Sequence, residues 1–572
     1  MQFAPPQISK AQRPLWQSGY FWAVMLLQLI PVTRFLAVML GDRYTYIDDA
    51  TQHIFWMWQF TDPNRFRGDL MADYFIAQMP PGVYGLYWAA SFLISPVVFN
   101  KILPVLLGIG SAVLLFLLAE RLFNDRRVAF WATLVFVLQL WTTDDLSTGI
   151  ARSFAYPLFL GFLYTLCRGW RWAVLGCLVL GCVFYQPVVV LALAVLTFVL
   201  IPGVAPEFQF NSRLWRRHLW LLIVGTLICA AILVPGQLID GPFGPILTKA
   251  EALTDPALLD GGRNEMFVAD PLRYWITSKR TGLGLTLMHP LCVLPALLVP
   301  VLRWRYGSRL SSLKGWSGWV TLLGRVFWAS LATYVLAQLV LLHLYHPNRY
   351  VSFSVPIVGA LFSGVAIAAL LELCPRPWAG WSRTTLTAVL CLALLLAHLP
   401  LWPMGLRVGQ YNQIYDFLRA QPATTRLASH PSEAGNLPLL TGLPVVASME
   451  GALAWHPTYY RAMEQRLWET LNAFYTPSPQ VLADYVERYK VDLFVVPLYR
   501  LSSPSRARLG LFVPFAGRAR ALVEANLAAG AKPVLQQLAE AQPLIQQEIQ
   551  DGGLRDVMAI VPAQTIYQRA GR

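Results

Sequence analysis

Between residues 20 and 402 the chain returns repeatedly to unbroken apolar runs, and that property alone excludes most folds. A helix needs about 20 apolar residues to cross a bilayer. Runs near 20–40, 102–120, 128–142, 153–167, 172–185, 187–201, 219–235, 285–302, 319–344, 351–371 and 384–402 approach or exceed that length. They are continuous rather than alternating, which argues against a β-barrel. Only 13% of the 572 residues are charged, roughly half the share of a soluble domain. The expectation is a polytopic α-helical membrane protein with about eleven transmembrane helices.

Tyr185-Gln186-Pro187 divides the 172–201 stretch into two helices, because proline interrupts the helical ladder. With the N-terminus inside, the inner loops hold Arg121, Arg126 and Arg127; Arg168 and Arg171; Arg213, Arg216 and Arg217; Arg303, Arg305, Arg309 and Lys314; Arg376 and Arg383. This satisfies the positive-inside rule. The net charge of +14 is therefore a topology signal and a means of touching lipid headgroups, and no nucleic-acid partner is expected. The first run, about Tyr20–Leu40, reads as a signal anchor. Counting "PPGVYGLYWAASFLIS" (80–95) as a span would invert every later loop, so it is expected as a helix on the outer membrane surface. All seven cysteines lie in or beside apolar runs, which suggests neither a disulfide framework nor a zinc site.

Domain 1–402 is thus the membrane part, with 41–101 as its first outer loop. Residues 403–572 differ in composition. "RLASH" (426–430), "PVVASM" (444–449) and "VDLFVVP" (491–497) read as buried strands, and "SPQVLADYVERYK" (478–490) as an amphipathic helix. The expectation is a C-terminal extracytoplasmic α/β domain. Its stretch 449–475, rich in Trp, Tyr and Arg, suits sugar stacking or plain packing, and packing is favoured.

The carboxylates are the chemically informative residues. "YIDDATQH" (46–53) carries Asp48 and Asp49; Asp48 suits the N-cap of a helix that begins at Asp49. On that helix Asp49 and His53 share a face, a spacing that could hold a metal or orient a base. Asp62 before Pro63 is a turn residue. Asp69 and Asp73 are like charges one turn apart. "TTDDLSTGIARSF" (142–154) repeats the adjacent acids as Asp144 and Asp145, with Arg152 following. Two such pairs on one membrane face could supply a general base and an activating acid or metal ligand. "HLYHPNRYVSF" (343–353) sets Arg349 beside His343 and His346, and loop 236–284 adds Arg263, Lys279 and Arg280. An arginine there could grip a phosphate bidentately, or reach toward headgroups.

In order, these features resemble the GT-C class of membrane glycosyltransferases, which includes oligosaccharyltransferase catalytic subunits, protein O-mannosyltransferases and aminoarabinose transferases. The resemblance is carried by "YIDDATQH", "MPPGVYGLYW", "TTDDLSTGIARSF", "HPNRY" and an outer C-terminal domain. It implies transfer of a sugar from a polyprenyl-phosphate donor on the outer face, to a glycan, lipid or protein acceptor, by inverting single displacement. The base falls on Asp48 or Asp49, assisted by Asp144 or Asp145. The donor phosphate falls to Arg349, with Arg152, Arg280 and Lys279 behind it. His53 and His346 remain as orienting or metal-binding residues. No cofactor is certain, and a divalent ion, Mg or Mn, stays open: the oligosaccharyltransferases use a metal with Asp-x-Asp motifs and a "WWDYG"-like acceptor motif, neither of which is present here. The expected setting is a bacterial inner membrane, with the N-terminus cytoplasmic and the tail periplasmic. The competing readings are a lipid-linked sugar transporter or flippase, which would place ionisable groups near the bilayer midplane, and a non-catalytic scaffold of GT-C shape.

Overall fold

The computed structural model describes residues 14–201, 213–238, 241–284, 289–307, 309–344, 346–374, 383–402, 405–551 and 554–571. Arg376 and the first residues of the 285–302 run lie outside them. Each of the eleven apolar runs coincides with a helix: Gly19–Gly41, Pro96–Phe123, Arg126–Trp141, Ala155–Arg168, Arg171–Phe184, Gln186–Leu200, Arg213–Leu238, Pro290–Tyr306, Thr321–Leu339, Val355–Leu373 and Arg383–His398. Six helices among the described residues are long and apolar enough to cross a membrane, and the chain is an integral membrane protein. The others have 14 to 17 residues, about 21–26 Å at 1.5 Å per residue against a hydrocarbon core of about 30 Å.

Local chemistry explains the helix ends. Asn124 adopts a left-handed conformation, closing Pro96–Phe123, and the Asp125 side chain then accepts from the Arg127 amide at 2.8 Å to open Arg126–Trp141. Tyr185 is extended between Arg171–Phe184 and Gln186–Leu200, so the stretch does break where the proline demanded it. Val355–Leu373 packs centrally on Pro290–Tyr306 and Arg126–Trp141. Two glycines allow that approach: a Cβ at Gly359 would meet the Cys292 carbonyl at 2.3 Å, and one at Gly364 the Ala132 backbone at 2.4 Å.

The loop between the first two apolar helices begins with strand β1 (Thr45–Ile47). It pairs antiparallel with β2 (Leu406–Val408), just after the last apolar helix. Asp69 caps the helix Leu70–Ala77 through the Ala72 amide at 3.0 Å, and Asp62 accepts from Asn64 in a turn. Residues 80–95 form the 11-residue helix Pro81–Ser91, about 16 Å long and too short to span.

The tail carries a four-stranded mixed sheet of β3 (Leu427–Ser429), β4 (Leu493–Pro497), β5 (Ile545–Asp551) and β6 (Leu554–Pro562), in the order β3-β4-β6-β5. β3 and β4 run parallel, in register Leu427↔Leu493; β6 runs antiparallel to both its neighbours. Helices Pro457–Tyr475, Pro479–Tyr489, Phe515–Ala528, Val534–Ala541 and Ala563–Ala570 surround it. "PVVASM" is buried but contributes only a single bridge, Leu427↔Val445, rather than the strand expected from its composition. The tail shares a core with that first long loop: Tyr74 stacks on Tyr459 at 3.7 Å, and Trp58 Nε1 donates to the Leu439 carbonyl at 3.0 Å.

Candidate active site

β1 delivers Asp48 and Asp49 to one end of the helix bundle. The helix that follows is the single turn Ala50–His53, with Asp49 at the N-cap position and no side-chain cap bond. Asp48 departs from the capping expectation: its carbonyl accepts from the Thr51 hydroxyl at 2.6 Å, while its carboxylate lies 3.9 Å from Arg407 and is 53% exposed. The Asp49 carboxylate turns instead to Arg152, with Oδ2 2.5 Å from Nη2.

Arg152 reaches that position because the loop 142–154 doubles back. Asp144–Ser147 forms one helical turn, and Gly149 takes a left-handed conformation. A Cβ on Gly149 would lie 2.6 Å from Asn100 Nδ2, so the tight turn requires glycine. Asn100 Nδ2 donates to the Thr148 carbonyl at 2.8 Å, Tyr87 to the Gly149 carbonyl at 2.6 Å, and Ser153 to the Asp145 carbonyl at 3.0 Å. This lattice returns Arg152 over its own acids: Nη2 is 2.9 Å from Asp144 Oδ2 and Nε is 3.9 Å from Asp145 Oδ1. Arg349, at the start of the turn Arg349–Ser352, donates from Nη1 to Asp145 Oδ1 at 3.0 Å.

A second layer surrounds this cluster. His346 Nε2 stands 3.3 Å from Arg280 Nη1, and Arg280 Nη2 donates to the Arg263 carbonyl at 3.2 Å. Asn348 ties the two loops together by donating to the Lys279 and Arg280 carbonyls at 2.5 and 3.1 Å. The Lys279 side chain itself is exposed. Arg263 pairs with Glu450 of the tail at 2.6 Å, and Gln52 donates to the same Glu450 oxygen at 2.6 Å. His53 lies edge-on to Phe75 at 5.7 Å.

The adjacent acids differ electrostatically. Burial raises the Asp48 pKa, and Glu450 and Asp49 add to the rise, against Arg407 and Arg263. Burial also opposes charge on Asp49, but Arg152, His53, Arg349 and Arg263 outweigh it and hold that carboxyl below its usual value. Burial lowers His53, with Asp49 opposing. Burial, then Arg280, Arg349 and Arg152, push His346 well down, so it stands neutral.

The structure thus brings Asp49, Asp144, Asp145, Arg152 and Arg349 together, with Arg280 and His346 alongside and Asp48 at the rim. Glu450 was missed in the sequence; its only signal there is a lone acid within the apolar "VVASMEGALAW". A divalent ion does not fit these residues. Among the described residues no three His, Cys, Asp or Glu side chains stand as a ligand group. Between the carboxylates of Asp49 and Asp144, where an ion would sit, there is the Arg152 guanidinium.

No protein-family model and no curated protein matches this chain. Among solved structures it is similar to the Archaeoglobus fulgidus oligosaccharyltransferase in the apo form, at 11% identity and TM-score 0.50, covering 88% of this chain and 73% of that one. The same archaeal enzyme tethered with an acceptor peptide aligns at 13% identity and TM-score 0.47, covering 89% and 72%. In complex with an inhibitory peptide and a dolichol-phosphate it aligns at 11% and 0.45, covering 96% and 77%. At such identities the likeness is one of fold alone, that of the archaeal oligosaccharyltransferase.

Proposed function

We propose that this chain is a GT-C glycosyltransferase that moves a sugar from a polyprenyl-phosphate-linked donor to an acceptor on the outer face of the membrane. The convergence of acids from two outer loops on Arg152 and Arg349 carries the reading. Capping cannot account for it, since Asp49 makes no side-chain cap bond and neither does the residue ahead of Asp144.

A sugar phosphate is already activated, so the protein has to align the acceptor, take one proton and stabilise the departing charge. Asp48 is the base. It is the least encumbered acid of the four, and its raised pKa suits proton acceptance nearer neutrality. The acceptor O–H proton passes to the Asp48 carboxylate as the acceptor oxygen bonds to the anomeric carbon. The carbon–phosphate oxygen bond breaks, and its electron pair leaves with the phosphate. Asp49 stays ionised, and Asp49 and Asp145 hold the guanidiniums in place. Arg349 and Arg280, with Lys279 outside them, face the leaving phosphate. Glu450 brings the tail to the acceptor side. In this reading the N-terminus is cytoplasmic, residues 403–572 form a periplasmic domain and the membrane is a bacterial inner membrane.

The test is consumption of a radiolabelled polyprenyl-phosphate sugar pool by purified protein, beside Asp48→Asn, Asp49→Asn and Arg349→Ala. Donor consumption that disappears in Asp48→Asn supports the reading. Retention of every donor by a wild-type protein that binds them would move the assignment to a transporter or scaffold.

A further inference from the structure

We propose that Arg152 is the reaction centre's own cation, a guanidinium fixed where a metal-dependent transferase would hold a divalent ion. The inference takes the carboxylate cluster to be the reaction centre, as in the reading above.

Three observations carry it. First, one nitrogen is shared: Nη2 lies 2.5 Å from Asp49 Oδ2 and 2.9 Å from Asp144 Oδ2, joining acids of different outer loops. A magnesium-like ion binds oxygens at about 2.0–2.1 Å, so it could not enter between them while Nη2 is there. Second, Arg152 is no surface visitor. Its side chain is 14% exposed, and the Asn100, Tyr87 and Ser153 hydrogen bonds fix the turn that carries it. Third, the nearby imidazoles do not complete a metal shell. His346 Nε2 faces the Arg280 guanidinium, a donor, and His53 packs on Phe75.

The consequences differ from those of a metal. A guanidinium is not removed by chelators and stays charged across the physiological range. It supplies no Lewis acid and activates no water. Arg152 is therefore a positioning residue. It keeps Asp49 ionised and turned inward, and so leaves Asp48 as the carboxylate open to the acceptor.

The experiment titrates Mn2+ alone into the full-length protein, stripped of metal, and follows the paramagnetic resonance of the free ion. Wild type is expected to take up no more Mn2+ than Asp49→Asn does. Arg152→Ala frees the facing carboxylates and is expected to bind one ion per chain, at least about tenfold more weakly once Asp49→Asn is added. Arg152→Lys retains a cation and takes up none. In turnover assays, chelator leaves wild type unchanged, and guanidinium in the buffer restores activity to Arg152→Ala but not to Asp49→Asn. Stoichiometric Mn2+ uptake by wild type that a folded Asp49→Asn lacks would overturn the inference. So would a folded Arg152→Ala that binds no ion. If no donor is consumed by any protein, the transferase reading fails, while the Mn2+ titration still decides the role of Arg152.

Discussion

Asp48-Asp49 and Asp144-Asp145 look like the same motif twice, yet they occupy different electrostatic worlds. Each pair sets one acid against a guanidinium: Asp49, 29% exposed, against Arg152 and Asp145, 10% exposed, against Arg349. Each leaves the other acid about half exposed, Asp48 at 53% and Asp144 at 51%. The equivalence ends there. Asp144 still contacts Arg152 at 2.9 Å, whereas the nearest cation to Asp48 is Arg407 at 3.9 Å. Adjacent identical residues are therefore distinguished by partner rather than by type. An acid locked to arginine is a structural anion, and a base must keep its lone pair.

The sharpest way to break this comparison is to neutralise one acid at a time. Asp48→Asn should lower kcat by about 10²- to 10⁴-fold with little change in KM, measured as donor turnover. Asp144→Asn should cost far less. The reverse order would exchange their roles. Next in size, Arg349→Ala strands the buried Asp145 and should lower stability by about 3 kcal/mol, read by thermal unfolding in detergent; Arg349→Lys should recover part of it.

The pH dependence sharpens the comparison within the first pair. As the proposed base, Asp48 has to be ionised, so kcat/KM should rise with pH through an apparent pKa above the ordinary value of about 3.9. Arg407→Ala should move that limb to higher pH and Glu450→Gln to lower pH, because the first group lowers the Asp48 pKa and the second raises it. Stability should show opposite signs for the neighbours. The stability that Asp49 contributes is present above its unfolded pKa and lost as pH falls through its lower folded value. With Asp48, stability instead declines as pH rises from the unfolded pKa to the raised folded one. Asp49→Asn should flatten the acid limb of a pH–melting curve, and Asp48→Asn should remove the decline above it. The smallest effect belongs to Lys279→Ala. Its side chain is exposed, so melting should stay unchanged and donor KM rise only a few-fold, consistent with about 0.5–1 kcal/mol for a solvated charge.

Much of the membrane part was legible because its signal is one-dimensional. An apolar run announces a helix whatever its neighbours do, and Pro187 announced the break at Tyr185. In the tail, β3 and β4 were visible as short apolar runs. "PVVASM" has the same composition but pairs only through the single bridge from its Val445 to Leu427. The β5–β6 hairpin went unread although Asp551-Gly552-Gly553 is a turn signal, because the alternating polar "IQQEIQ" carries no buried run. The β1–β2 pair is three residues on each side, below any periodicity. At the site, the acids and arginines were visible as residue types. Which acid meets which arginine was not, since Arg152 reaches Asp49 across about a hundred positions through a turn set by Gly149 and Asn100. Glu450 lies about four hundred positions from the Gln52 that it binds, and no local pattern encodes such a distance.

The β1–β2 pairing also sets a schedule. Thr45–Ile47 emerges early in synthesis, whereas its partner Leu406–Val408 is made more than 350 residues later, a delay of tens of seconds at about 5–20 residues per second. Until then the segment bearing Asp48 has no strand to lie against, and neither Arg407 nor Glu450 exists to tune it. The nascent chain acquires this pairing only after its last apolar helix has been made, so an interrupted product carries the acids without the clasp that holds them in place.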